Sequence, residues 1–170
     1  AGYYFEKHMY LFTYKNEIRN LILDYKFRDK SYLYESFAKI ITKNEKICGI
    51  LEKYDIIIPV PIHKKRKKQR GYNQSELVAR QISKNIANLQ LENKAFIKIK
   101  NNKPQSTLNK KQRKQNVKNV YKLENKGKIE NKNIVLFDDI YTTGNTANEI
   151  AKILKQNGAN KILVLTIAKD

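Results

Sequence analysis

The feature that most restricts the fold of this chain is a run of four apolar residues, 134–137 (Ile-Val-Leu-Phe), which two acidic residues follow directly. A continuous apolar run of this length is typical of a parallel strand that is buried on both faces. Asp138 and Asp139 come next, where we expect the strand to leave the core. Farther along, apolar residues recur at helical spacing: Ala147, Ile150, Ala151 and Leu154. The pattern therefore predicts a buried strand, a polar turn and a helix.

The predicted turn contains three threonine hydroxyl groups and a glycine, within the residues Thr142, Thr143, Gly144, Asn145 and Thr146. Free backbone N–H groups at a helix N-terminus, together with the positive end of the helix dipole, bind a phosphate group. Two carboxylates would repel that phosphate, so we expect them to accept hydrogen bonds from hydroxyl groups of the same ligand. A sugar phosphate carries both kinds of group. The alternative is an ordinary strand-turn-helix unit, in which paired carboxylates would be costly without a ligand or a cation.

Residues 134–146 resemble the thirteen-residue signature of the type I phosphoribosyltransferases, which bind phosphoribosyl pyrophosphate (PRPP). The resemblance implies an α/β fold with an open, mainly parallel sheet flanked by helices, a strand order of 3-2-1-4-5, a small N-terminal hood and a flexible loop. It also implies that Asp138 and Asp139 hold the ribose hydroxyls, while the turn holds the 5′-phosphate. A nucleotide hydrolase is excluded, because none of the six glycines begins the G-x-x-x-x-G-K-[ST] motif that such an enzyme requires.

A strongly basic segment follows a second predicted strand, residues 56–60. Six of the seven residues from 64 to 70 are Lys or Arg. In the fold that the resemblance implies, the loop after the first core strand holds the pyrophosphate, and a basic loop suits a group with several negative charges. We therefore predict that Lys65, Arg66 and Arg70 bind pyrophosphate. The alternative is a solvated face or a nucleic-acid patch.

Two residues beside the basic segment have simpler interpretations. His63 has no neighbour in the sequence that would orient it as a catalytic base, so we interpret it as a loop residue. Asn73 precedes a stretch with apolar residues at helical spacing, and asparagine is a favoured helix N-cap.

Residues 100–117 form the third segment of interest, because they contain almost no apolar side chains. Such a composition predicts a mobile loop. In the related fold a flexible loop at this place closes over PRPP and excludes water. Arg113 is then the residue that we expect to reach the pyrophosphate. The alternative is a loop that is disordered or contacts nucleic acid.

A closer resemblance covers nearly the whole chain from about Tyr10 onward. The stretch P-V-P-I-H at 59–63 and R-G-Y-N-Q-S-E at 70–76 resemble the ComF family of competence proteins. Further matching residues are Tyr25, Lys26, Phe27, Gln105, Leu108, Arg113 and Asn116. ComF proteins are amidophosphoribosyltransferase-like and are associated with the uptake of transforming DNA, which implies partners in the DNA-uptake machinery. Many relatives have an N-terminal four-cysteine zinc finger, which this chain lacks. Lys26 and Arg28 are either solvated or face the ligand.

The charge of the chain points toward polyanionic partners. Lys and Arg number 35 against 16 acidic residues, a formal net charge of +19. Such an excess favours nucleic acid, a polyphosphate ligand or anionic lipid. The single cysteine, Cys48, excludes an internal disulfide, and we find neither a membrane-spanning apolar run nor a signal peptide. We therefore expect one cytoplasmic domain over residues 1–170.

The mechanism implied by the resemblance starts with PRPP bound together with Mg²⁺, with Asp138 and Asp139 in or near the outer shell of the ion. Cleavage of the bond to pyrophosphate places positive charge on the ribose, which nearby carboxylates stabilise. Purine-salvage relatives often have an aspartate at the position of Thr142, which argues against a hypoxanthine- or guanine-type acceptor. Two functions stay open. One is a Mg²⁺-dependent phosphoribosyltransferase of unknown acceptor, and the other is a non-enzymatic module that keeps the PRPP pocket and binds single-stranded DNA.

Overall fold

A parallel sheet of five strands forms the centre of the protein, for which a computed structural model describes residues 2–102, 109, 112 and 115–170. The seven strands of the described residues are β1 (Lys7–Thr13), β2 (Ile56–Pro59), β3 (Gln90–Leu91), β4 (Phe96–Lys98), β5 (Tyr121–Leu123), β6 (Ile134–Tyr141) and β7 (Ile162–Lys169). The helices of the same residues are α1 (Asn16–Phe27), α2 (Leu33–Lys43), α3 (Glu45–Leu51), α4 (Lys64–Arg70), α5 (Gln74–Asn85), α6 (Asn145–Gln156) and a short 3₁₀ helix (Lys126–Lys128). This arrangement confirms the predicted α/β class.

The strand order places β6, which carries the two acidic residues, at the centre. The sheet runs β3-β2-β6-β7-β1, and every neighbouring pair is parallel. The resemblance counts residues 56–60 as the first core strand, so the neighbours β2, β6 and β7 match the 1-4-5 part of the expected order of 3-2-1-4-5. β1 is an additional strand, which pairs with β7. β1 lies at the edge of the sheet, and its side chains are correspondingly exposed or only partly buried. The first four residues of β6, 134–137, are fully buried, as a central strand requires.

Alternate side chains of the strands enter two separate hydrophobic cores. Val135 and Phe137 pack on the face covered by α1, α2, α3 and α5. Ile134 and Leu136 pack on the opposite face, which α6 and the antiparallel β4–β5 pair cover. Successive side chains of a strand point to opposite faces, so this alternation follows from strand geometry. The side chains of the next two residues, Asp138 and Asp139, therefore also point to opposite faces, at the place where the strand reaches the edge of the core.

The basic segment is a helix, α4, and the expectation of a loop is wrong here. Two features at its ends explain the helix. The Nδ1 atom of His63 accepts a hydrogen bond from the backbone N–H of Lys65 at 3.2 Å, and His63 therefore caps the N-terminus. Gly71 ends the helix in the left-handed region, with φ 86°. Asn73 caps the following helix, α5, as predicted.

The segment predicted as a flexible loop, residues 100–117, lies mostly outside the described residues, and so do Gln105, Leu108 and Arg113. Its two flanking strands, β4 and β5, pair with each other in antiparallel register. The two ends of the segment are therefore held close together. Across the described part of the chain, none of the helices combines the length and the apolar character needed to cross a bilayer.

Candidate functional site

A cleft of about 390 Å³ opens at the carboxyl ends of β2 and β6, the edge at which open parallel sheets bind ligands. The segment after β6 forms one side of the cleft, and parts of α1, α4 and the β4–β5 pair form the other. Eight of the predicted site residues line it together: Arg66, Arg70, Asp138, Asp139, Thr142, Gly144, Asn145 and Thr146. Residues that are up to 80 positions apart in the sequence thus meet at one site.

Three predicted site residues do not line this cleft. Arg113 lies outside the described residues. Lys65 is exposed on α4, because helical spacing places Arg66 and Arg70 on one face and leaves Lys65 on another. Thr143 lies within the turn, where its buried hydroxyl oxygen has no hydrogen-bond partner among the described residues. A buried polar atom without a partner is costly.

The turn before α6 has the form of an anion site. Gly144 adopts φ 73° and precedes the first residue of α6, and no side chain caps the helix there. A Cβ atom at Gly144 would also collide with the hydroxyl group of Tyr141. Glycine is therefore required both by the backbone conformation and by the available space. The uncapped helix N-terminus leaves backbone N–H groups for a bound phosphate.

Asp138 faces the cleft with one oxygen available. Its Oδ1 atom accepts hydrogen bonds from the Ser75 hydroxyl at 3.2 Å and from the backbone N–H of Asp139 at 2.9 Å. Its Oδ2 atom has no partner within the described part of the chain. Burial and the negative charge of Asp139 raise the pKa of Asp138 to about 7, while the Lys26 ammonium acts in the opposite direction.

Asp139 differs from Asp138 in that the protein occupies both of its oxygens. Oδ2 accepts hydrogen bonds from the Lys26 ammonium at 2.7 Å and from the Gln74 amide at 2.9 Å. Oδ1 accepts a hydrogen bond from the backbone N–H of Ile140 at 2.7 Å. Only 4% of Asp139 is exposed. The two neighbouring acids thus have different environments within one cleft.

Two arginines and one lysine provide the positive charge on the side of the cleft opposite the turn. The guanidinium of Arg66 donates a hydrogen bond to the carbonyl of Asn102 at 2.5 Å. That of Arg70 packs over the Phe27 ring at 5.0 Å, and burial lowers the pKa of Arg70. Lys98 also lines the cleft, where burial and the charge of Arg66 lower the pKa of Lys98 to about 8.

Two lysines of the cleft, Lys98 and Lys26, were not among the predicted site residues. Lys98 is a basic residue at the end of a short strand that is otherwise apolar. That position in the sequence could have indicated that its side chain lies in the cleft and not in solvent. Its ammonium lies 5.7 Å from the centroid of the Tyr121 ring, and the Tyr121 phenol is hydrogen-bonded with Thr146 of the turn. Lys26 pairs with an acid of the site, so the interpretation as a solvated charge is wrong.

The acids of this cleft suit a metal ion that a ligand brings with it. The described residues contain no group of three or more His, Cys, Asp or Glu side chains that could hold a metal. Asp138 offers a single available oxygen, and Asp139 is already ion-paired. Mg²⁺ commonly binds through one or two carboxylates, several waters and the phosphates of a substrate. The donor set is compatible with that mode.

Comparison with known protein families and curated proteins gives consistent matches. Residues 58–170 match the family model described as phosphoribosyl transferase domain. Competence protein F of Haemophilus influenzae is 34% identical over 155 residues, which cover 88% of this chain and 66% of that protein. DNA utilization protein YhgH of Shigella flexneri is 34% identical over 115 residues, 68% of this chain and 49% of the relative. Competence protein ComFC of Bacillus subtilis is 27% identical over 149 residues, 87% and 58% of the two chains.

The chain spans about half to two thirds of the length of these curated relatives. Among solved structures, a purine phosphoribosyltransferase from Pyrococcus horikoshii has a TM-score of 0.53 at 16% identity, covering 82% of this chain and 85% of that one. The glutamine PRPP amidotransferase of B. subtilis, complexed with ADP and GMP, has a TM-score of 0.51 at 19% identity, covering 78% and 25%. At these identities the likeness shows a shared fold.

Proposed function

We propose that this chain, which belongs to the phosphoribosyl transferase domain family, binds PRPP in the cleft at the end of β6. The predicted resemblance to the ComF competence proteins is confirmed, since curated relatives carry the names Competence protein F and ComFC. One observation carries the proposal. An uncapped helix N-terminus, a carboxylate with an available oxygen and two half-buried arginines surround the same cleft.

In the proposed complex the 5′-phosphate lies at the turn before α6, where backbone N–H groups of the uncapped helix meet it. The ribose hydroxyls donate hydrogen bonds to the available oxygen of Asp138. The pyrophosphate lies against Arg66, Arg70 and Lys98, whose positive charges complement it. Arg113 remains a predicted further contact, on the resemblance alone.

The proposed reaction breaks the bond between the ribose C1 atom and the pyrophosphate oxygen and forms a bond from C1 to the nucleophilic atom of the acceptor. Positive charge then develops on the ribose ring, and the carboxylate of Asp138 stabilises it at short range. Arg66, Arg70 and Lys98 stabilise the leaving pyrophosphate. Mg²⁺, when bound with PRPP, would neutralise further charge on the phosphate oxygens.

Calorimetry with PRPP and MgCl₂ tests the proposed site. We expect Asp138→Asn to weaken binding by about ten- to hundredfold, because a hydrogen bond to a charged group contributes about 1.5–3 kcal/mol. Glu17→Gln is the matched control, since Glu17 is an exposed acid on α1 outside the cleft. Equal affinities of the wild type and the Asp138→Asn variant would remove Asp138 from the site.

The acceptor is identified by pyrophosphate release. We propose to screen nucleobases, ammonia and small amines as acceptors with the wild type, using the Asp138→Asn variant as the background. Release with one acceptor would assign a phosphoribosyltransferase activity. Release with none of them, together with tight PRPP binding, would favour a protein that binds PRPP without transferring its ribosyl group.

The second candidate function is binding of single-stranded DNA, with a cytoplasmic role in DNA uptake. It is supported by the net charge of +19, by the exposed lysines of α4 and by the words competence and DNA utilization in the names of the relatives. Phosphate contacts of this kind give an affinity that falls steeply with salt. Partners in the DNA-uptake machinery are part of this second proposal, whereas Mg²⁺-dependent transfer belongs to the first.

Titrating a single-stranded oligonucleotide at several salt concentrations, with and without PRPP, tests this second function. Reversing the charge of Lys64, Lys65 and Lys68 should weaken binding and reduce its salt dependence, because each lysine releases about one counterion. Reversing Lys39, Lys43 and Lys46 on α2 and α3 is the matched control. Equal loss in both triple variants would mean that net charge alone accounts for binding.

A further inference from the structure

The carboxyl-terminal turn of α1 is built into the cleft. Tyr25 is fully buried, and its hydroxyl donates a hydrogen bond to the backbone carbonyl of Gln74 at 2.6 Å. In return, the Tyr72 hydroxyl donates to the backbone carbonyl of Tyr25. These two bonds join the end of α1 to the start of α5. They place the next residue, Lys26, against Asp139.

The start of α5 contacts both acids through consecutive residues. Gln74 donates its amide N–H to Asp139 at 2.9 Å, and Ser75 donates its hydroxyl to Asp138 at 3.2 Å. The backbone N–H of Asp139 also donates to Asp138. A displacement of Asp139 would therefore move the two groups that fix the Asp138 carboxylate.

The two carboxylates differ in how many hydrogen bonds they can still accept from a ligand. An ionised carboxylate accepts about four hydrogen bonds. Asp139 accepts three from the protein, one of them from the Lys26 ammonium, whose side chain is only 18% exposed. Asp138 accepts two, both at the same oxygen. A ribose hydroxyl can bind Asp138 without displacing a protein group, but at Asp139 it would compete with an ion pair.

We propose that the two acids have different tasks: Asp138 binds the ribose hydroxyls, whereas Asp139 forms an internal ion pair with Lys26 that positions Asp138. Lys26 is thus a positioning residue of the site. It also removes one of two adjacent negative charges from the place where an anionic ligand must bind. This inference rests on the proposed binding of PRPP.

A set of five variants tests it by calorimetry with PRPP: Lys26→Met, Lys26→Arg, Asp139→Asn, the double variant Lys26→Met/Asp139→Asn, and Asp138→Asn. Lys26→Met should weaken PRPP binding by about tenfold, because it leaves a buried carboxylate without its counter-ion. Lys26→Arg should keep most of the affinity. The double variant should bind within about twofold of the wild type, since it leaves no unpaired charge. Asp139→Asn should weaken binding less than Asp138→Asn does, because it leaves Lys26 without its counter-ion but keeps the carboxylate of Asp138.

The decisive result is the comparison of Asp139→Asn and the double variant with Asp138→Asn. If both lose PRPP binding as fully as Asp138→Asn does, Asp139 contacts the ribose itself and the inference is overturned. Recovery of affinity on adding Asp139→Asn to Lys26→Met would support it, because a merely destabilising effect of Lys26→Met would not be reversed by a second substitution.

Thermal unfolding of the same variants separates this inference from the proposed function. A strong coupling between Lys26 and Asp139 in the unfolding temperatures establishes the ion pair whether or not PRPP binds. Absence of PRPP binding by the wild-type protein would contradict the proposed function and the ribose role of Asp138 with it. Additive effects of the two substitutions on the unfolding temperature would contradict the positioning role of Lys26.

Discussion

The two sides of the cleft differ in how they are built. One side is continuous in sequence, because β6, the turn and the start of α6 all come from residues 134–147. The other side combines Lys26 of α1, Arg66 and Arg70 of α4, and Lys98 of β4. The first side depends on local geometry, and the second depends on packing between distant segments. Substitutions on the two sides should therefore differ in how they affect the stability of the protein and its binding of PRPP.

The largest effect is expected at Gly144, on the continuous side. Gly144→Ala should destabilise the protein by about 2–3 kcal/mol, because alanine is strained at φ 73° and its Cβ collides with Tyr141. PRPP binding should be lost as well. Gly127→Ala is the matched control, because Gly127 has no atom near its Cβ position. An unfolding temperature of Gly144→Ala equal to that of the control would contradict the predicted strain.

The next effect is expected on the composite side, at Arg70. Arg70→Ala should weaken PRPP binding by about ten- to hundredfold with little loss of stability, because a charge-assisted bond to pyrophosphate is removed. Lys65→Ala, one helix face away, should change the affinity by no more than about twofold. Calorimetry of both variants makes the comparison. An equal loss in both would mean that the whole of α4 acts through its net charge.

A pH dependence is expected from Asp138. Its pKa of about 7 means that the ionised fraction rises about tenfold between pH 6 and pH 8. An ionised carboxylate is the better acceptor, so PRPP affinity should rise with pH over this range. The Asp138→Asn variant corrects for the titration of PRPP itself. Parallel pH profiles of the two proteins would show that Asp138 does not accept the ribose hydroxyls.

The same raised pKa has an opposite consequence for stability without ligand. The unfolded chain ionises Asp138 near pH 4, whereas the folded chain retains the proton until about pH 7. The contribution of Asp138 to folding therefore becomes less favourable as the pH rises from 4 to 7 and is constant above that range. In urea unfolding, the free energy of unfolding of the Asp138→Asn variant should therefore rise relative to that of the wild type across this pH interval.

The smallest effect is expected at Tyr121, which connects the two sides through its hydrogen bond with Thr146. Tyr121→Phe should weaken PRPP binding by about 0.5–1.5 kcal/mol, the usual contribution of one hydrogen bond. Tyr32→Phe is the control, because Tyr32 is 62% exposed. Unchanged binding in Tyr121→Phe would show that the two sides of the cleft act independently.

The difference between the two sides also explains which predictions succeeded. The strand, the turn and the helix of residues 134–156 are set by a continuous apolar run, a glycine and a helical repeat, all of which are visible in the sequence. Arg66 and Arg70 line the cleft from a helix, where the sequence predicted a loop. The position of β1 beside β7 was not predicted, because no local pattern specifies the partner of an edge strand.

The sequence by itself determined the family, the α/β class and the location of the turn that we propose to bind phosphate, because each follows from residues that are neighbours along the chain. Only the tertiary structure decided that two adjacent acids have different environments. Strand alternation turns them to opposite faces, and α1 then brings a lysine to one of them but not to the other. Such a contact joins residues 113 positions apart, and its existence depends on packing that no short segment of sequence specifies.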